Sequence, residues 1–95
     1  MRRAAKVDKN QPLIVNTLRL MGAVVLITSQ LKNCFDVLVM YGGRTMLVEI
    51  KDGALPPSQR KLTDGEANVK RKVEAVGVTY HIVETVDDAV ALLAV

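Results

Sequence analysis

Tryptophan is absent from the 95 residues, phenylalanine occurs once and tyrosine twice. So few rings exclude a binder that stacks single-stranded bases on aromatic platforms. One cysteine cannot close an internal disulfide, and one histidine leaves no Cys/His set for structural zinc. Charge or glycine breaks every apolar run short of the roughly 18 residues that a membrane span needs. Met1-Arg2-Arg3-Ala4-Ala5-Lys6 is basic but leads into no hydrophobic segment, so no signal peptide is expected and a reduced, cytosolic setting is.

Against these absences, 49% of the residues are apolar and the mean hydropathy is +0.20, which excludes a disordered tail or a polar low-complexity segment. The length permits one domain, residues 1–95, with residues 1–9 as a basic N-terminal arm. A net charge of +3 permits contact with a polyanion, which would run through phosphates rather than base faces.

Helix-start signals (Asp8 or Asn10 as cap, Pro12 in the first turn) precede Ile14, Leu18 and Met21 at helical spacing. A helix is therefore expected over 11–21, ending at Gly22. Residues 23–28 read as a buried strand and 35–41 as a central one, apolar on both faces. Gly42-Gly43 signals a two-residue hairpin into a strand over 45–51. A proline-containing loop over 52–62 leads to a capping box, Thr63 with Glu66, and to a helix whose Val69, Val73 and Val76 form a buried stripe up to Gly77. A strand over 78–83 and a helix over 86–94, opened by a second box of Thr85 with Asp88, complete the order α-β-β-β-α-β-α.

The hairpin allows the register to be calculated. With Gly42 and Gly43 as the turn, Tyr41 pairs with Arg44 and every cross-strand pair sums to 85, so Asp36 meets Glu49. Their Cβ atoms would lie about 4.5–5.5 Å apart on one face. Two carboxylates so placed repel each other, and a hard divalent cation such as Mg²⁺ relieves the conflict while keeping waters and sites for phosphate oxygens. Side chains alternate along a strand, so Lys51 shares the face of Glu49, and the Ile50 carbonyl lies within reach of the same ion. Two metal-binding acids and a cation suit metal-assisted phosphodiester hydrolysis, with Lys51 orienting water or neutralising phosphate. Taken alone, a Glu-x-Lys strand is usually a solvated edge; the calculated partnership with Asp36 raises catalysis to an even match for that reading.

These residues resemble the signature of the PD-(D/E)XK nuclease superfamily: Asp36 opening the second strand, and Glu49-Ile50-Lys51 closing the third, on an α-β-β-β-α-β core. Asp8-Lys9-Asn10-Gln11, Leu18-Arg19, Gly22, the run Val48 to Gly53, Pro56-Pro57-Ser58, and Val83 to Ala89 are similar to small phage-type nucleases of the VRR-NUC and Holliday-junction-resolvase-like group. Phe35 stands where the motif has Pro, Gln11 where many relatives have a metal-binding Glu, and Glu66 where many have Gln.

The resemblance implies a restriction-endonuclease-like α/β fold, a mixed sheet flanked by helices. It implies a Mg²⁺- or Mn²⁺-dependent deoxyribonuclease, a homodimer selective for branched DNA such as four-way junctions, in a bacterial or phage-infected cytoplasm. Asp36, Glu49 and the Ile50 carbonyl would hold metal, and Lys51 would complete the catalytic set. Gln11, Gln59 and Glu66 are auxiliary candidates, Gln11 also as a metal ligand; Gln11 and Glu66 are equally readable as plain capping acceptors.

DNA-contact candidates are Arg2, Arg3 and Lys6 in the arm, Arg60 and Lys61 in the loop after the catalytic strand, and Lys70-Arg71-Lys72, which also suits a solvated helix face. His81 reads as a structural strand residue and Cys34 as packing. Beyond Asp52 and Asp64, no other acid is expected near the site. The alternatives are a DNA-binding or assembly module with degraded catalysis, and a generic protein-interaction domain.

Overall fold

The computed structural model describes residues 7–94. Its elements are α1 (Gln11–Leu20), β1 (Val24–Ile27), β2 (Val37–Tyr41), β3 (Arg44–Ile50), α2 (Asp64–Ala75), β4 (Tyr80–Val83) and α3 (Val86–Leu93), with one 3₁₀ turn at Pro57–Gln59 inside the expected loop. The element order is the expected one. The strands form one sheet in the order β1-β2-β3-β4; β1/β2 and β2/β3 are antiparallel and β3/β4 is parallel, so the sheet is mixed. No helix among the described residues is long and apolar enough to cross a membrane.

The β2–β3 hairpin turns at Gly42 and Gly43, whose φ angles are +57° and +77°. A type I′ turn needs positive φ at both central positions, so the glycine pair selects the turn and the turn selects the register. Tyr41 pairs with Arg44 and the ladder runs to Val37 with Val48, every pair summing to 85.

One face of the sheet carries the core: Val25, Val37, Val39, Met46, Val48 and Ile50 pack under Ile14, Val15 and Leu18 of α1 and Ala89 and Leu93 of α3. Arg44 on this side donates to the carbonyls of Leu92 (3.1 Å) and Leu93 (3.2 Å), satisfying groups left open at the C-terminus of α3. Alternation turns Leu47, Glu49 and Lys51 to the opposite side, where the first turn of α2 meets them.

Several local expectations are corrected. β1 is an edge strand, and only Val25 of its four residues is buried, because among the described residues no further strand pairs along its outer edge, where Arg19 donates to the Val25 carbonyl (2.8 Å). The valine stripe of α2 is not buried: Val69 and Val73 are half-covered and Val76 is 78% exposed, since α2 meets the sheet mainly along β4. Met21 lies outside α1 and is exposed, while Val15 takes the core position. Neither Asp8 nor Asn10 caps α1 through its side chain; the Asp8 carbonyl accepts from the Gln11 amide (3.0 Å), and the Asn10 side chain is used elsewhere. Thr63 and Glu66 form the full capping box, but Asp88 turns its carboxylate to the Glu84 amide (2.9 Å), leaving Thr85 to cap α3 alone.

Candidate active site

The ends of β1, β3 and β4 and the starts of β2, α1 and α2 meet at one end of the sheet. Asn10 ties them: its side-chain amide donates to the Lys51 carbonyl (3.0 Å) and the Glu84 carbonyl (3.1 Å), fixing the start of α1 to the ends of β3 and β4. Gln11 makes the matching tie to the connection after β1, its side-chain amide donating to the Ser29 hydroxyl at 3.3 Å. Gln11 is only 4% exposed, and its side-chain oxygen has no hydrogen-bond partner among the described residues.

Asp36 stands one residue before the regular ladder. Its backbone amide donates to Val48 (3.1 Å), and its carboxylate accepts from the Ile50 amide (2.7 Å), which swings the acid across the end of β3. Asp36, Glu49 and Lys51 thereby line one cavity of about 290 Å³, together with Glu66, Lys61 and Asp8. The Ile50 side chain is fully buried on the core face, so it is the backbone of this residue that borders the acids.

The electrostatics follow from this crowding. Burial first, then the hydrogen bond with Glu66 and the charge of Asp36, push the Glu49 carboxyl up to about 9. Near neutral pH this carboxyl therefore favours its protonated form, since both burial and the charge of Asp36 oppose its ionisation. Burial raises Asp36 as well, opposed by its hydrogen bond from the Ile50 amide. Glu66 moves the other way: burial would raise it, but hydrogen bonds with Glu49, Lys51 and the Thr63 amide hold it below the usual carboxylate range. The Lys51 ammonium lies 2.8 Å from Glu66 Oε1 and 3.5 Å from Glu49 Oε2. Burial would lower its pKa; the bond to Glu66 and the surrounding acids outweigh that and raise it, so Lys51 is a fixed cation rather than a base.

Tyr80, absent from the expected set, donates its hydroxyl to Glu49 Oε1 at 3.1 Å. Burial and the neighbouring Glu49 raise its pKa, so it stays a donor. Parallel pairing of Leu47 with Tyr80 puts the ring on the face of Glu49. That relation becomes readable only once the β3/β4 register is known. Asp8 corrects the expectation that only Asp52 and Asp64 would stand near the site; the turn before α1 carries it there.

Among the other candidates, Gln59 is exposed and lines the cavity, and Glu66 both caps α2 and holds Lys51. Lys61 is exposed at the cavity, whereas Arg60 is paired with Glu84 at 3.1 Å. On α2, Lys70 pairs with Glu74 (2.9 Å), Arg71 bonds Asn68, and Lys72 is exposed. Arg2, Arg3 and Lys6 lie outside the described residues. His81 pairs with Val48 on the other side of the sheet, where burial and Arg44 lower its pKa. Cys34 is a half-buried free thiol.

Among the described residues, no three Asp, Glu, His or Cys side chains form a ready metal cage. The residues that are present fit a hard cation of fewer protein ligands: two adjoining carboxyls, one kept neutral only by a proton, suit an ion that retains most of its water. Comparison of the chain with protein-family models, curated proteins and solved structures finds no match.

Proposed function

We propose that the chain is a Mg²⁺- or Mn²⁺-dependent deoxyribonuclease on a restriction-endonuclease-like fold. The observation that carries this reading is the convergence of Asp36, Glu49 and Lys51 on one cavity, with Glu49 needing a positive partner to ionise. Asp36 and Glu49 would hold the ion, aided by the Ile50 carbonyl, and the buried Gln11 oxygen is available to an ordered water. When bound, the cation would supply an activated water and neutralise phosphate charge. Tyr80 steadies Glu49 by hydrogen bonding to it. Lys51, held by Glu66, directs a permanent positive charge into the cavity, where it orients water or stabilises charge developing on the phosphate.

Branched DNA is the favoured substrate by the family resemblance, and a bacterial or phage-infected cytoplasm the favoured compartment. A homodimer suits the α1–β1 edge, where the edge strand β1, its Val25 carbonyl bonded by Arg19, carries exposed Val24, Leu26 and Ile27 beside Leu13 and Leu20 of the helix. Such an edge can pair antiparallel with its own copy about a two-fold axis.

A second reading, a DNA-binding or assembly module without catalysis, draws on the 2.8 Å Lys51–Glu66 bridge and the lack of a three-ligand cage among the described residues. Nuclease assays with Mg²⁺ or Mn²⁺ on linear and four-way-junction DNA separate the two. Cleavage by the wild type that vanishes in Asp36→Ala supports the enzyme; equal activity of both proteins removes it. DNA binding without cleavage supports the module.

A further inference from the structure

We propose that the substrate strand leaves the carboxylate cavity through a groove between the β1–β2 connection and the first turn of α2, with Lys61 and Lys32 holding its phosphates. The inference rests on the nuclease reading and names the path the DNA takes through that site.

The cavity of about 290 Å³ adjoins a second one of about 170 Å³, and the two share Asp36, Thr63 and Glu66 as a common wall. The second cavity is bordered further out by Ser29, Lys32 and Asn33. Lys61 on the first cavity and Lys32 on the second are exposed, and neither has an acidic partner within the described residues. Lys51 and Arg60 are committed elsewhere, to Glu66 and to Glu84. Free ammonium groups on either side of an acid cluster suit a phosphodiester strand, because each phosphate that a lysine neutralises releases a condensed counterion and offsets repulsion from the acids.

The groove is built rather than incidental. A Cβ on Gly65 would run into the Asn33 side-chain oxygen, so the absence of a side chain lets the connection seat against α2. Asn33 itself takes φ +53°, and the Thr28 hydroxyl bonds the Phe35 carbonyl at 2.5 Å, closing the connection on itself. The opposite outlet, a space of about 530 Å³ reached past Asp8 and Gln59, is bordered by Asp8 and Asp52 against Lys9 alone. Two acids there face one lysine, whereas on the second cavity Glu66 is already paired with Lys51, which leaves Asp36 against Lys32 and makes that exit the less repulsive to a polyanion.

The test measures binding of a short fluorescent DNA duplex by Asp36→Ala protein, with Ca²⁺ present, across a salt series. Adding Lys32→Ala or Lys61→Ala should each reduce the slope of log affinity against log salt by about 0.9, or about tenfold in affinity at 0.1 M salt relative to 1 M. Lys32→Arg should restore it, and Lys9→Ala should leave it unchanged. DNA bound with a slope indifferent to Lys32, or sensitive to Lys9 instead, overturns the path while leaving the nuclease reading intact. A parent protein that neither binds nor, as wild type, cleaves DNA overturns both.

Discussion

Along β3, Val48 and Ile50 on one side and Glu49 and Lys51 on the other are almost equally hidden, at 0%, 0%, 2% and 7% exposed. The two sides are held by opposite physics. Val48 and Ile50 gain from leaving water and fill the space under α1 and α3, so burial itself is the stabilisation. Glu49 and Lys51 lose hydration, and what they regain comes from Tyr80, Glu66 and a shared proton. A strand that alternates between a stabilising side and a costly side marks the costly side as the candidate site, because groups held at such expense cluster where proteins do chemistry.

The largest expected difference is between activity and fold. Glu49→Gln or Lys51→Ala should cut metal-dependent DNA cleavage by about a hundred- to a thousandfold while circular dichroism stays native. A cleavage loss of the same size in Ile50→Val would erase the distinction between the sides.

Next in size, Ile50→Ala should lower unfolding free energy by about 2–5 kcal/mol, seen in urea titrations, because its cavity lies in a packed core. Glu49→Gln should do the reverse in metal-free protein at pH 8, gaining about 1–3 kcal/mol by removing an acid that burial disfavours.

The pH dependence sharpens the same contrast. Glu49 titrates near 4.5 when unfolded and is pushed up to about 9 when folded, so between these values the folded state binds the extra proton. Metal-free stability should therefore fall as pH climbs through that window, with the raised Asp36 adding to the fall. Glu66 is lowered, so its contribution is present above its ordinary value of 4.5 and is lost only in acid. Melting temperatures from pH 5 to 9, with and without Mn²⁺, test this; a metal that binds ionised Glu49 should flatten the decline. The smallest effect is Tyr80→Phe, about 1 kcal/mol of stability and a weaker response to Mn²⁺.

Much of this was legible beforehand because it is local. Gly42-Gly43 demands a turn with two positive φ angles, and that turn carries Asp36 toward Glu49 with no knowledge of the rest. Thr63 and Glu66 announce the start of α2 for the same reason. Misreadings concentrate where the answer depends on what covers a residue. An apolar strand looks the same at an edge as at a centre, so β1 was expected to be buried. Val76 falls on the stripe of α2 but beyond the part of the helix the sheet covers. Asp8 and Tyr80 lie 41 and 31 residues from Glu49, a separation no spacing rule spans.

The chain alone determined the order of elements, the hairpin register and the side of β3 on which Glu49 and Lys51 stand. Turns, caps and strand alternation act over a few bonds and follow directly from residue type. Only the tertiary structure decided that the Glu49 carboxyl is pushed up, that Lys51 is clamped by Glu66 and that Asp8 joins the cavity. Desolvation and charge coupling depend on distances through space, and those are set when the ends of six elements pack together.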